Sequence, residues 1–319
     1  MESPAERGVR SVSILIEWEN VILAADDRCW AMLRQVGEQI HEVDAEIECL
    51  VLFNPHQIQE EEIRRAVDRH LVGDGLPARA TVRLEPLAGE HYYDLKNRGA
   101  RIATGDAIVC IDSDSIPENG WLPALLAPMF ADGDNVNVTA GSTYVDIEDL
   151  VSKSFAAAWI FPLRDERDES RSDGQRFFAN NVAFRRSVFL DHPYPPLEDG
   201  QTRGSCVNLA KELRASGISI WYVPSARMAH PAPNGWHNIC VRALAQGRDR
   251  ALGQREVPWL RRAIRSGLFA MGGIKQTIVR TFTKRRQLNI AVWEIVPAVF
   301  LMGWYYVLTL VGVQALRKL

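Results

Sequence analysis

The sequence predicts an α/β protein with a mostly parallel sheet and flanking helices, followed by a C-terminal membrane-associated helical segment. Three observations predict it. Short, continuous apolar runs alternate with amphipathic stretches through the first half, the pattern of strands buried on both faces between helices. Two carboxylates, Asp112 and Asp114, stand just after one of those runs. Near the other end, Ile295 to Val313 is a run of 19 residues without a charge.

Val12–Glu17 (VSILIE) reads as the first buried strand and Asp26–Gln39 as an amphipathic helix. Ile47–Phe53 (IECLVLF) is a second strand, followed by a helix through Gln59–Arg65. Thr81–Leu84 is a short strand, Lys96–Thr104 a helix, and Asp106–Ile111 (DAIVCI) a third buried strand. Trp121–Phe130 is expected to be helical and Val136–Ala140 extended. Asp165–Asp173 is too charged for anything but an exposed loop. Strand-like Asn181–Phe184, a helix around Val207–Ala215 and strand Ile218–Val223 complete the pattern, which has no internal repeat.

The chain has 319 residues, enough for a substantial core, and 37 Lys+Arg against 40 Asp+Glu. The resulting net charge of −3 hides a strong asymmetry. Arg242 to Arg286 carries 12 basic residues and 2 acidic ones, and residues 1–241 carry about −14. Nucleic acid is not expected as a partner, because the basic stretch has no recognisable binding motif and leads straight into the apolar segment. A basic neck beside an apolar run is what an anionic cytoplasmic leaflet attracts. At about 1.5 Å per residue the uncharged run extends roughly 28 Å, close to a bilayer core. It reads as a transmembrane or membrane-inserted helix, the other reading being a buried core helix or an oligomer contact. The five cysteines are an odd number with no CxxC pair, as expected of buried free thiols in a reducing compartment. Met1–Arg7 carries acids and no apolar core, so no signal peptide is expected.

The chemistry concentrates in Lys96-Asn97-Arg98-Gly99, Ala103-Thr104-Gly105-Asp106, the apolar run to Ile111, and Asp112-Ser113-Asp114. Open α/β sheets bind ligands in the crevice outside the carboxyl ends of their strands. Asp at i and i+2 of an extended segment aims one carboxylate at a ribose and the other at a divalent ion. Hard oxygen ligands suit Mg²⁺ or Mn²⁺ carrying a diphosphate. A lone DxD also reads as an ordinary acidic turn; what sets this one apart is the apolar strand and the KNxG and GD segments before it.

On these residues the sequence resembles the family 2 glycosyltransferases of the GT-A fold, a Rossmann-like architecture. The family's pattern is met by Lys96, Asn97, Gly99, Ala103, Gly105, Asp106, Asp112, Asp114, Pro117, Trp121 and Leu122. The likeness continues through Asn180–Arg186, Leu197-Glu198-Asp199, Gly217–Pro224 and His230, covering roughly residues 11–250. It implies a catalytic domain over 1–241, with a nucleotide-sugar half of about 11–140 and an acceptor half of about 141–241. A basic membrane-proximal neck (242–286) and a transmembrane or membrane-inserted helix (287–319) would follow.

The resemblance also implies roles. Asp112 would contact the nucleotide and Asp114 the divalent cation, Mg²⁺ or Mn²⁺. Asp199 would be the catalytic base, with Glu198 as its understudy, and His230 a second metal or diphosphate ligand. Asn20, Lys96 and Ser113 would join Asp112 in nucleotide-sugar binding. Arg248, with Arg250, reads equally as a clamp on a diphosphate or phosphorylated acceptor and as part of the membrane-facing neck. Two segments depart from the family. The first strand ends in Glu17-Trp18-Glu19-Asn20-Val21, retaining only Asn20, and the second ends in Leu52-Phe53-Asn54-Pro55 without the usual acidic pair. The function implied is inverting, metal-dependent transfer of a sugar from a nucleotide-diphosphate donor. The acceptor would be a hydroxyl of a lipid-linked, polysaccharide or other envelope molecule at the cytoplasmic face of the membrane, with a homo-oligomer or assembly complex as further partner. Two other readings stand beside it: a catalytically inactive membrane scaffold of the same fold, and a nucleotidyltransferase. The latter would want a Gly-rich basic loop that Val12–Asn20 lacks.

Overall fold

The structure is a computed structural model and describes residues 9–20, 26–73, 75–88, 91–131, 135–158, 161–164, 176–198 and 200–315. Its strands are β1 (Ser11–Glu17), β2 (Glu46–Phe53), β3 (Ala80–Pro86), β4 (Ala107–Asp112), β5 (Ile116–Pro117), β6 (Val138–Val145), β7 (Val182–Arg185) and β8 (Ile220–His230). The helices are α1 (Asp26–Ile40), α2 (Glu60–His70), α3 (Tyr92–Ile102), α4 (Trp121–Ala131), α5 (Leu150–Ala158), α6 (Arg186–Asp191), α7 (Ser205–Ala215), α8 (Gly235–Leu252), α9 (Trp259–Thr283) and α10 (Ile295–Ala315).

The strands form one sheet in the order β3-β2-β1-β4-β7-β6-β8-β5. The β3-β2-β1-β4 half is parallel, as the buried apolar runs require. Beyond it β7 runs antiparallel to both β4 and β6, and β5 antiparallel to β8, so the sheet is mixed rather than wholly parallel. α1 covers the sheet with Cys29, Met32, Leu33, Val36 and Ile40, a 3-and-4 spacing that puts all five on one face. Cys29, Cys49 and Cys110 are buried, and none of the five cysteines is in a disulfide.

The chain divides into two compact units. The first comprises Met1–Thr143, Arg167–Pro196 and Ser205–Ala229; the second comprises Tyr144–Glu166, Leu197–Gly204 and His230–Leu319.

In the first unit, the turn from α3 into β4 is pinned from beneath. The Glu48 carboxylate accepts from Ser13 Oγ and the Thr104 amide, both at 2.5 Å. Gly105 N donates to Ser13 Oγ at 2.8 Å, and Asp106 Oδ2 accepts from the amides of Arg10 and Ser11. A Cβ on Gly105 would lie 2.6 Å from Ser13 N, so only glycine lets the turn approach β1 this closely. Gly99 likewise lets α3 sit against Leu52, whose Cδ1 would be 2.5 Å from an added Cβ.

In the second unit, α10 packs along α8, α9 and α5. Gly247 of α8 and Gly312 of α10 permit near backbone contact: a Cβ on Gly247 would meet Thr309 O at 2.0 Å, and one on Gly312 would meet Leu244 O at 2.2 Å. Tyr305 Oη donates to Gln246 Oε1 at 2.6 Å, Tyr306 Oη donates to Ala158 O at 3.2 Å, and Lys153 pairs with Glu294 at 2.9 Å. Val292–Gln314 has a mean hydropathy of 1.8 and is, among the described residues, the helical span long and apolar enough to cross a membrane. The stretch read as a basic neck folds largely as α8 and α9.

Candidate functional site

In the parallel half of the sheet β2 and β3 lie to one side of β1 and β4 to the other. The strand order therefore reverses between β1 and β4, and the crevice at their carboxyl ends is where such sheets receive ligands. Both strands end there in an acid, Glu17 and Asp112, facing each other in parallel register. Ser113 N donates to Glu17 O at 2.9 Å and Ser115 N to Asp112 O at 3.1 Å, curling the chain into a tight turn as β4 ends.

Lys96 explains how two buried acids share this position. It is fully buried on α3, and its ammonium donates to Asp112 Oδ1 and, at 3.2 Å, to Ala179 O. The Tyr92 ring lies 5.3 Å from the same Nζ. Burial alone would lower the Lys96 pKa, but the charges of Asp112 and Glu17 outweigh it and raise it above the ordinary lysine value. Glu17 moves the other way for a carboxyl. Burial, then repulsion from Asp112, pushes it well above the usual carboxylate range, with Lys96 opposing in part. The arrangement is a buried lysine set between two acids, of which Glu17 holds its proton more tightly than an ordinary carboxyl. Glu17 is braced by Glu19 N at 2.5 Å and Asn20 Nδ2 at 2.7 Å.

The expected donor-side residues thus fall into two groups. Lys96, Asp112, Ser113 and Asn20 come together around the ends of β1 and β4, although Lys96 and Asn20 reach the crevice through Asp112 and Glu17. The Ser113 hydroxyl is buried without a hydrogen-bond partner, a donor left for an incoming group. Asp114 is 7 % exposed, with Oδ1 accepting from Ser115 Oγ at 3.1 Å. Asn180 Nδ2 holds Ser115 Oγ at 2.9 Å. Asn97 serves the scaffold, its amide exchanging two 2.9 Å hydrogen bonds with the backbone of Tyr194. Trp121 is likewise structural, its Nε1 donating to Asn181 Oδ1 at 2.8 Å inside the core.

The second unit holds the remaining expected residues. His230 ends β8, and its Nδ1 lies 2.7 Å from Pro231 O, which assigns the proton of the neutral ring to Nδ1 and makes Nε2 the acceptor. The Glu198 carboxylate pairs with Arg255 at 3.3 Å. Asp199 lies outside the described residues. The segment after it is tied to α8: Asp249 accepts from Thr202 N at 3.1 Å and Thr202 Oγ1 at 3.0 Å. Arg248, beside it, lies 3.8 Å from Asp249 Oδ1.

Two residues escaped the sequence reading. Glu17 carried a signal, an acid closing a buried strand, but it stood where the family motif was broken. Arg28 carried none: its Nε donates to Asp114 O at 2.6 Å and a terminal nitrogen to Ala229 O at 2.9 Å, fixing the backbone under the second aspartate.

Among the described residues, no group of three or more His, Cys, Asp or Glu side chains is placed to hold a metal ion. The Asp114 carboxylate suits a hard divalent cation of the kind that keeps several waters and takes oxygen ligands from a bound diphosphate.

Residues 90–192 match the sequence profile of the family described as Glycosyl transferase family 2. No curated protein matches the chain. Among solved structures, the mannosyltransferase PcManGT from Pyrobaculum calidifontis, in complex with GDP-Man and Mn²⁺, superposes with a TM-score of 0.52 at 14 % identity, over 97 % of this chain and 88 % of that one. GalNAc-T7 with UDP, GalNAc and Mn²⁺ gives a TM-score of 0.44 at 16 % identity, over 72 % of this chain and 45 % of that one. A mycobacterial protein gives 0.46 at 18 % identity, over 75 % and 73 %. The first of these shares the fold; the other two are weaker superpositions.

Proposed function

From the premise that the chain carries a glycosyl transferase family 2 domain, we propose that it is an inverting, metal-dependent glycosyltransferase using a nucleotide-diphosphate sugar. The observation that carries this reading is the Asp112-Ser113-Asp114 turn at the reversal of strand order, with Asp112 fixed by a buried lysine.

Asp112 accepts hydrogen bonds from the ribose, and the Ser113 hydroxyl donates to the bound nucleotide. Asp114 would hold the divalent ion, and His230, with Nε2 as its acceptor nitrogen, would be the second ligand to metal or diphosphate. The ion, when bound, supplies charge neutralisation on the departing diphosphate. Asp199 takes the proton of the acceptor hydroxyl as that oxygen bonds to the anomeric carbon and the bond to the diphosphate oxygen breaks. Attack opposite the leaving group inverts the centre. Glu198 and Arg248 are assigned to the same acceptor and phosphate side. The acceptor is a hydroxyl of a lipid-linked or polysaccharide molecule at the cytoplasmic face of the membrane, where the apolar C-terminal helix holds the enzyme.

The test is release of nucleoside diphosphate from a panel including GDP-mannose and UDP-sugars, with Mg²⁺, Mn²⁺ or EDTA. One donor should turn over, and EDTA should abolish it. Asp114→Ala should lose metal-dependent donor binding, and Asp199→Asn should keep donor binding and lose transfer. Turnover in EDTA, or near-normal transfer by Asp199→Asn, would overturn the assignment.

A further inference from the structure

Helix α9 is built inside out. The side it buries is Ser266, Ala270, Gly273, Thr277 and Thr281, small and partly polar. Its bulky apolar side chains point away from the protein: Leu260, Ile264, Leu268 (63 % exposed), Met271 (67 %), Ile278 and Phe282. A helix packing onto a water-soluble body does the reverse. The neighbouring α10 buries bulky residues such as Leu301, Met302 and Tyr305 but also turns an apolar row outward, with Val296 (75 % exposed), Phe300 (72 %), Trp304, Val307 and Val311 at successive steps of three or four along one face. Contiguous exposed apolar surface of this kind marks a contact with a partner or a membrane.

The charges identify the occupant. Arg261 and Arg265 flank the outward face of α9, and Lys275 falls within it, at the helical spacing of Met271 and Ile278. The turn between the two helices adds Lys284, Arg285 and Arg286, and there a crevice of about 520 Å³ is lined by Arg285, Arg286, Asn289 and Trp293 together with the Lys153–Glu294 pair. A second copy of this chain would bring like charges together across the same face, whereas anionic headgroups neutralise them.

The mode of binding follows from what α10 already touches. Its inner face is committed to α8 and α5 through Tyr305, Tyr306 and Gly312, so it does not stand free to cross a bilayer by itself. Taking α9 across with it would carry Lys275 to mid-bilayer and the turn cations to the far side, against the placement of positive charge on the cytoplasmic side. We propose that α9 and α10 lie in the plane of an anionic leaflet, their outward apolar side chains among the acyl chains and their cations at the phosphates. This rests on the membrane location in the preceding reading and replaces a spanning anchor with an in-plane one.

The full chain, purified in detergent, should float with phosphatidylcholine vesicles containing phosphatidylglycerol and bind at least ten-fold less to phosphatidylcholine alone. The triple variant Arg261→Glu, Arg265→Glu, Lys275→Glu should lower partition onto the anionic vesicles by about 100-fold or more, roughly five-fold for each basic residue removed. These are exposed positions, and retained helical circular dichroism checks the fold. Leu268→Glu with Met271→Glu should weaken binding to both vesicle types. Cysteines introduced as Arg286→Cys and Gln314→Cys, in sealed proteoliposomes, should both react with an external membrane-impermeant maleimide above the background of the parent chain. Reaction of only one of them, equal binding to neutral and anionic vesicles, or a lipid-insensitive dimer would overturn the proposal. Nucleoside diphosphate release in detergent, measured on the same samples, reports the catalytic reading independently. Its absence with intact docking condemns that reading alone.

Discussion

Lys96 on α3 and Asp112 at the end of β4 form a buried ion pair, the ammonium donating to Oδ1 beneath the crevice. Such a pair costs desolvation on both sides, and its geometry is what it contributes: Asp112 presents its other oxygen in one orientation.

Replacing Lys96 by Met removes that partner and leaves Asp112 charged in a dry site. We expect a loss of about 3–5 kcal/mol in unfolding free energy, larger than any exposed ion pair could supply. Adding Asp112→Asn should recover part of it, because the orphaned charge is gone. Chemical denaturation of the two variants and the parent chain checks this. A loss below 1 kcal/mol would show that Lys96 is not pairing a buried charge.

Glu17 sets a pH dependence of opposite sign to that of most carboxylates. Its folded pKa lies above the ordinary 4.5, so the folded chain holds the proton more tightly than the unfolded one. The stability this contributes is complete below about pH 4.5 and is lost as pH rises through the elevated folded value. Glu17→Gln, permanently neutral, should be more stable than the parent at neutral and alkaline pH, with the advantage shrinking toward acid. Denaturant midpoints across the pH range measure it, and a gap that widens toward acid would reverse the assignment.

Gly105→Ala places a methyl 2.6 Å from Ser13 N, a clash with backbone that no rotamer relieves. The expected cost is about 1–3 kcal/mol, or displacement of the whole turn. Thermal unfolding should show it, with Gly120→Ala as a contrast: that position has open space but a φ of 74°, so any loss there reports backbone conformation rather than crowding.

Asp249→Ala removes the carboxylate that accepts from Thr202 N and Oγ1 and should loosen the segment that follows Asp199. We expect kcat for transfer to fall several-fold while donor binding, measured calorimetrically, stays within two-fold. Asp249→Asn, which retains an acceptor oxygen, should restore most of kcat. Equal loss in both variants would point to the charge rather than to the hydrogen bonds.

The parallel half of the sheet was legible because strands buried on both faces have to be written as unbroken apolar runs. The remainder was hidden for identifiable reasons. β8 was expected to stop at Val223, yet it runs on through Pro224, which lends the ladder no donor, to His230. α3 was expected from Lys96 but begins at Tyr92, where the His91 side chain accepts from Tyr93 N. α5 and α6 are too short to show a period. At the site, Asp112 and Asp114 were readable because motif and strand coincide. Glu17 was not, because its importance comes from register with a strand 90 residues away. α9 misled most: its charge was visible, while its reversed faces emerge only when the neighbours are known.

β4 is a six-residue strand, roughly 20 Å from end to end. Beneath it Thr104, Gly105 and Asp106 are consumed in holding the chain to β1, and above it Asp112 and Asp114 stand at the strand's carboxyl end. Natural variants of this one segment should therefore leave two distinct signatures. Lesions at the lower end should cut the yield of folded protein while each surviving molecule turns over normally. Lesions at Asp114 should give full yield of a well-folded but silent protein, whereas lesions at Asp112, which leave the buried Lys96 unpaired, should lose yield and turnover together. Specific activity per folded molecule separates the two, and a profile that scores both ends alike does not.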